Sequence, residues 1–132
     1  MENIQRDCRS EVSHLLNHTI FKDFFFKVRQ YALQSSNESC GIATINHVFL
    51  LKNIHENPKI CFEINPEDYF RFLQSETILF IWHSHVSGSA NPSAMDVKYA
   101  YEHTHKSLIY SCQDDNFCFF QTNPFCSVYF SI

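Results

Sequence analysis

The stretch ETILFIWHSHVSGSANPSAMDVKYA, residues 76–100, decides the fold of this chain. Its first part, TILFIW, is an uncharged run of β-branched and aromatic residues, which is typical of a buried strand. Its last part has apolar residues at helical spacing and predicts a helix from about Ser93 to His103. The predicted strand therefore ends in two histidines, His83 and His85, and the following helix carries an aspartate, Asp96, in its first turn.

Segments of both helical and extended character flank this stretch. Upstream, the spacing of apolar residues predicts one amphipathic helix from about Val12 to Ser35. Residues 40–55 (CGIATINHVFLLKNIH) and 59–64 (KICFEI) predict strands of an antiparallel meander. Asn65 as N-cap and Pro66 at the first helical position predict a short helix. Three further strands are predicted at the C-terminal end: SLIYSC (107–112), FCFFQT (117–122) and CSVYFSI (126–132).

This order of elements predicts an α/β (α+β) sandwich, in which helices flank a mixed, largely antiparallel sheet. The length of 132 residues suits a single domain over residues 1–132, with residues 1–12 as a flexible N-terminal extension. A composition of 45% hydrophobic and 18% charged residues favours a folded chain over a disordered one. The oligomeric state is left open by the sequence.

Charge and hydropathy narrow the possible partners and the compartment. The net charge is −4 and no basic cluster is present, which argues against nucleic acid as a partner. The N-terminus is polar, and nowhere do about 18 apolar residues run together, so neither a signal peptide nor a membrane partner is expected. A cytoplasmic protein is predicted, with its six cysteines as free thiols.

The two histidines and the aspartate form a pattern suited to a metal ion. Side chains at positions i and i+2 of a strand point to the same face, so His83 and His85 would present both imidazoles to one point. Asp96, at the start of the next helix, can fold back over that point. Catalytic zinc usually takes three nitrogen or carboxylate ligands and leaves one position open. One Zn²⁺ per chain is therefore predicted, although Mn²⁺, Fe²⁺ and Co²⁺ would accept similar donors.

Together with Ser93, these residues spell H-x-H, seven residues, S-x-x-D, and this pattern resembles the JAMM motif of the JAB/MPN metalloproteases. The resemblance implies a single MPN-like domain with a cytidine-deaminase-like sandwich. It implies that His83, His85 and Asp96 hold the zinc and that Glu38, in the stretch NESCGI, is the general acid/base. It also implies that Ser93 donates a hydrogen bond to the oxyanion of the tetrahedral intermediate.

The same resemblance implies a metallo-(iso)peptidase that acts on a ubiquitin-like β-grasp protein or its conjugates, at the C-terminal tail of that protein. Alternatives with the same chemistry are a phage-tail-type or cell-wall-related JAB peptidase and a sulfur-carrier-processing peptidase. From a different class, the chain could be an MPN scaffold subunit without activity. A structural interpretation of Ser93 and Asp96 also exists, because the pair matches a capping box at a helix N-terminus.

Overall fold

The computed structural model describes residues 9–10, 12–14, 17, 19–103 and 105–132. The described residues before position 18 are helical. Most of the predicted extension at residues 1–12 lies outside the described residues, as do Leu15 and Leu16 of the predicted first helix. The elements that follow are α1 (Thr19–Leu33), β1 (Cys40–Thr44), β2 (Val48–Leu51), α2 (Pro66–Ser75), β3 (Ile78–His85), α3 (Ala94–His103), β4 (Ser107–Ser111), β5 (Asn116–Thr122) and β6 (Phe125–Phe130).

The six strands form one sheet in the order β2-β1-β3-β4-β5-β6. Only β3 and β4 pair in parallel, with α3 as the connection between them, and the other neighbours are antiparallel. A parallel pair needs such a crossover, which explains why the segment after His85 must leave the sheet and return through a helix. The predicted α+β fold, with a mixed, largely antiparallel sheet, is confirmed.

Both faces of the sheet bury apolar side chains. On one face α1 packs Phe25 and Val28 against Phe80, Trp82 and Phe119 of the sheet. The opposite face carries two smaller clusters, and the one nearest the end of β3 consists of Cys40, Ile42, Phe62, Ile64 and Ile81. The central strand β3 is therefore buried on both sides, which accounts for its uncharged sequence.

A glycine on β1 allows a large side chain of β3 to lie across the sheet. A Cβ atom on Gly41 would lie 1.8 Å from the carbonyl oxygen of Phe49 and 2.6 Å from Trp82 Nε1. In the space left free, the indole N–H of Trp82 donates a hydrogen bond to that carbonyl at 3.2 Å. Only a residue without a side chain fits at this position.

Two of the predicted strands are wrong. Residues 40–55 form not one strand but the hairpin β1-β2, because Thr44 closes a turn by donating its N–H to the His47 carbonyl at 2.9 Å. Residues 59–64 are mostly irregular, with a single bridge from Ile64 to Asn53. Their apolar side chains pack into the core and do not belong to a strand of the sheet, since Phe62 and Ile64 are buried.

The other predicted elements agree with the structure to within a few residues. The cap of α2 is as predicted: Asn65 Oδ1 accepts the N–H of Glu67 at 2.9 Å, and Pro66 opens the helix. Among the described residues, no helix has both the length and the apolar character that a bilayer crossing requires. The described cysteines are all free thiols, namely Cys40, Cys61, Cys112, Cys118 and Cys126.

Candidate metal centre

The C-terminal end of β3 and the first turn of α3 bring the three predicted ligands together. His83 and His85 alternate with Ser84 on the strand, so both imidazoles face α3. His83 Nε2 lies 3.1 Å from Asp96 Oδ1, and His85 Nε2 lies 2.9 Å from Asp96 Oδ2. Within the described part of the chain, these three residues form the one group of side chains placed to hold a metal ion.

A backbone contact sets the tautomer of one histidine. His85 Nδ1 lies 2.7 Å from the carbonyl oxygen of Ser89, and because a carbonyl only accepts, Nδ1 must carry the proton. Nε2 of His85 then has a lone pair available to a metal. Such an outer hydrogen bond is the usual way in which a metal-ligating histidine is oriented.

The other histidine, His83, faces the Asp96 carboxylate without a well-directed hydrogen bond. His83 Nε2 is buried and has no hydrogen-bond partner in the described part of the chain, although Asp96 Oδ1 is only 3.1 Å away. The Phe62 ring stacks on the imidazole with the ring centroids 4.2 Å apart, which excludes water from that side. A buried nitrogen that faces an oxygen without bonding to it is what two ligands of one ion would present. The nitrogen, nitrogen and carboxylate donors therefore fit a divalent metal of the zinc type.

The charges of the three side chains are strongly coupled. Burial by itself would raise the pKa of the Asp96 carboxyl, but the His83 and His85 imidazoles hold that pKa well below its usual value. Burial lowers the pKa of His83 despite the neighbouring carboxylate. The pKa of His85 is raised, because the contacts with Asp96 and Ser89 outweigh the effect of its burial. An ionised carboxylate and a neutral His83 are the forms in which these groups bind a metal.

Glu38 lies beside this cluster, at the entry to β1. The residue is 5% exposed, and its Oε1 atom has no hydrogen-bond partner within the residues that the structure describes. Burial raises the pKa of the Glu38 carboxyl to about 7, with His85 acting to lower it and Asp96 to raise it. The backbone is held on both sides: the N–H donates to the Pro58 carbonyl at 2.7 Å, and the carbonyl accepts from Asn53 Nδ2 at 2.9 Å.

Ser84, the residue between the two histidines, ties the Glu38 segment to β3. Its side-chain oxygen accepts the N–H of Ser39 at 2.8 Å, and its own N–H donates to the Ser39 carbonyl at 2.9 Å. Ser84 is fully buried on the face of β3 opposite the ligands. Neither this residue nor Asn53 has a role predicted from the sequence. The position of Ser84 inside the H-x-H pattern was the only available signal.

Replacing Ser84 by alanine is expected to lower the free energy of unfolding by about 1–3 kcal/mol, since the Ser39 N–H would stay buried without a partner. Urea unfolding followed by circular dichroism measures this change. Ser87→Ala is the matched control: Ser87 is exposed, so its loss should stay within about 0.5 kcal/mol. Equal unfolding curves for the two variants would show that the Ser84 hydroxyl does not hold the two segments together.

Ser93 forms the N-terminal cap of α3 together with Asp96. Its Oγ accepts the N–H of Asp96 at 3.1 Å, and its own N–H donates to Asp96 Oδ2 at 3.0 Å. This is the reciprocal pattern of a capping box. The carboxylate that caps the helix also faces both imidazoles, so the structural interpretation of this pair coexists with a metal-ligand geometry.

The loop between β3 and α3 is fixed by contacts from β4 and β6. Ser111 Oγ donates to the Gly88 carbonyl at 2.8 Å, and the φ of Gly88 is 87°, which favours glycine. Further along the loop, the Tyr129 hydroxyl donates to Asn91 Oδ1. The path from the histidines to Asp96 is therefore held by side chains that are distant in sequence.

The structure is an α+β domain with a cluster of two histidines and one aspartate at the end of the central strand, as the motif predicts. A sequence model of the prokaryotic homologs of the JAB domain matches residues 27–123, which include all five predicted site residues. The chain therefore belongs to the family of prokaryotic JAB-domain homologs, and the predicted resemblance is confirmed.

Comparison with solved structures supports the same fold. The chain is similar to the solution structure of protein DSY2949 from Desulfitobacterium hafniense, with a TM-score of 0.62 and 20% sequence identity. The similarity covers 81% of this chain and 86% of the other. At this level of identity the likeness concerns the fold alone. No curated protein matches the sequence.

Proposed function

We propose that this protein is a zinc-dependent metallo-(iso)peptidase that cleaves at the C-terminus of a ubiquitin-like β-grasp protein. The observation that carries the proposal is the convergence of His83 Nε2, His85 Nε2 and the Asp96 carboxylate beside the buried Glu38. Two histidines and one carboxylate from two adjoining elements are a set of three donors of the kind that hydrolytic zinc sites use.

In the proposed reaction, His83, His85 and Asp96 hold one zinc ion per chain. When bound, the zinc supplies Lewis acidity that activates a water molecule for attack on the scissile carbonyl carbon. Glu38 Oε1, which has no hydrogen-bond partner among the described residues, would accept a proton from the attacking water. Glu38 then delivers that proton to the amine nitrogen as the C–N bond breaks.

Ser93 is the proposed donor to the oxyanion. Its Oγ already accepts a hydrogen bond from the Asp96 N–H, but a hydroxyl both accepts and donates. The hydroxyl hydrogen therefore remains to be directed at the negative oxygen of the tetrahedral intermediate. Its position in the helix cap would hold this donor in place before the reaction begins.

The proposed substrate tail binds in extended form along β2. This strand lies at the edge of the sheet, next to β1, and can accept a further strand through its backbone groups. A cleft of about 370 Å³ lies at this edge and is lined by residues of β2 together with Glu38, Asn53 and Tyr31. A tail in this cleft would bring its scissile carbonyl to Glu38.

The proposed location is the cytoplasm. The described cysteines are free thiols, and free thiols are usual in a reducing compartment. Export of the chain to an oxidising compartment, measured by cell fractionation, would contradict this proposal.

Zinc binding is the first measurable consequence of the proposed site. At a free zinc concentration of about one hundred times the Kd, the free energy of unfolding should rise by about 2.7 kcal/mol. Thermal unfolding with and without chelator measures the rise. No rise at any zinc concentration, together with no zinc in elemental analysis of the native protein, would favour the scaffold alternative.

Cleavage itself is tested on β-grasp proteins that carry a C-terminal reporter peptide. The native protein loaded with zinc should release the reporter, and a chelator should stop the release. Bound zinc without cleavage of any ubiquitin-like fusion would remove the proposed substrate while leaving the metal centre intact.

A further inference from the structure

Among the residues that the structure describes, the strand β6 lies at an edge of the sheet and carries no charged side chain. It pairs with β5 on one side, and its other side ends the sheet. Residues 116–132, which include the whole β5-β6 hairpin, contain no Asp, Glu, Lys, Arg or His. Edge strands of monomeric proteins commonly carry a lysine, an inward charge or a bulge to prevent pairing. The strand β6 itself has no charged side chain.

The outer face of β6 carries two aromatic side chains. Phe125 is 52% exposed and Tyr129 is 49% exposed. They alternate with the residues that anchor the strand, since Cys126, Val128 and Phe130 pack into the core on the α1 side. The strand is therefore held firmly from one face while it presents aromatic surface on the other.

We propose that β6 pairs in antiparallel orientation with β6 of a second copy of this chain, about a twofold axis at Ser127. In this register Ser127 faces Ser127 of the second copy, and each Phe125 lies opposite a Tyr129. Aromatic pairs across neighbouring strands stabilise a sheet, and the symmetry produces this pair twice. The result is one continuous sheet of twelve strands, since each copy contributes six.

The distribution of charge favours the β6 edge over the β2 edge for pairing between two copies. In an isologous interface a residue meets its own symmetry mate, so a charge near the axis faces a like charge. Each copy carries a net charge of −4, and two copies repel least where the surface has no charge. The other edge strand, β2, has only four residues, with Lys52 directly after it.

Self-pairing through β6 leaves the proposed active site accessible. The cleft beside Glu38 lies at the β2 edge, and β2 and β6 are opposite edges of the sheet. On the β6 side, the Tyr129 hydroxyl donates to Asn91 in the loop that leads to α3, and Asn91 is not among the residues that line the cleft. The pairing depends on neither the metal nor the proposed activity.

Sedimentation velocity of the full chain over a range of concentrations tests the proposal. The native chain is expected to shift from monomer to dimer as its concentration rises. Ser127→Lys would place two lysines opposite each other and should weaken the dimer at least about tenfold, because lysine on an edge blocks pairing. Gln30→Lys adds the same charge on the exposed side of α1 and should leave the dimer unchanged. A native chain that is monomeric throughout, or a Ser127→Lys dimer as stable as the native one, would overturn the proposal.

A cysteine at the proposed axis tests the register. Cα atoms of directly opposed residues in an antiparallel pair lie about 4.5–5.5 Å apart, within the range of about 4.4–6.8 Å that a disulfide spans. Ser127→Cys should therefore form a cross-linked dimer under mild oxidation. Gln30→Cys places the new thiol at an exposed position outside the proposed interface and reports the background from random collisions. Equal unfolding midpoints for all variants establish that each is folded. A chain that is dimeric in sedimentation but gives no cross-link above that background would overturn the pairing at Ser127.

Discussion

The Glu38→Gln protein is expected to bind as much zinc as the native protein and to cleave its substrate about 10²–10⁴ times more slowly. Glutamine has nearly the same shape as glutamate, so the backbone contacts of this residue with Pro58 and Asn53 can persist. What the substitution removes is the ability to accept and release a proton. Because Glu38 is outside the group of proposed ligands, the metal should stay.

Elemental analysis and the rate of reporter release, measured on the same preparation, separate these two effects. Glu63→Gln is a suitable control, because Glu63 is an exposed glutamate on the loop before α2 and should keep both zinc and activity. Turnover at the native rate by zinc-loaded Glu38→Gln would exclude Glu38 as the general base. Loss of zinc from this variant would instead make Glu38 a ligand.

The Asp96→Asn protein is expected to bind zinc much more weakly than the native protein. Loss of an outer hydrogen-bond partner of a ligand lowers metal affinity by roughly 10–100-fold, and loss of a proposed ligand should lower it further. The introduced amide would still offer an oxygen to the Ser93 N–H, so the helix cap is largely retained. The substitution removes the negative charge that lies 3.1 Å from His83 Nε2 and 2.9 Å from His85 Nε2. Competition with a chromogenic chelator measures the affinity of each protein.

Ser93→Ala provides the complementary control for the Asp96 substitution. It removes the hydroxyl that accepts the Asp96 N–H and should cost about 1 kcal/mol of stability through the lost cap. It leaves the carboxylate in place, so zinc affinity should stay close to the native value. Similar zinc affinities for Asp96→Asn and the native protein would mean that Asp96 acts only as a helix cap.

The capping box and the ligand geometry at Asp96 illustrate how two explanations of one motif can both hold. Sequence patterns present them as alternatives, because S-x-x-D is common at helix starts. In the structure Oδ2 of Asp96 accepts from the Ser93 N–H and also lies 2.9 Å from His85 Nε2. The cap orients the carboxylate toward the end of β3, so the helix-capping role of Asp96 is compatible with the proposed role as a metal ligand.

The errors in the predicted fold have a common cause. Residues 40–55 are rich in β-branched and aromatic residues, and the turn at Thr44 to His47 depends on hydrogen bonds that composition does not display. Residues 59–64 contain the same residue types, but they are held by Asn53 and by burial of Phe62 and Ile64 rather than by a neighbouring strand. Strand propensity measures suitability for a half-buried surface, and a packed loop can offer that surface too.

Local patterns in the amino-acid sequence are enough to predict the sheet-and-helix class of the fold and the convergence of His83, His85 and Asp96. Both follow from short-range geometry. Side chains two residues apart on a strand share a face, and a helix N-cap is hydrogen-bonded to the residue three positions later. The folded structure adds three features that these patterns do not predict: Ser84 joins the Glu38 segment to β3, Asn53 holds the Glu38 carbonyl, and β6 lies at an edge of the sheet. These contacts join segments far apart in the chain, and no local spacing encodes which segments meet when the core packs.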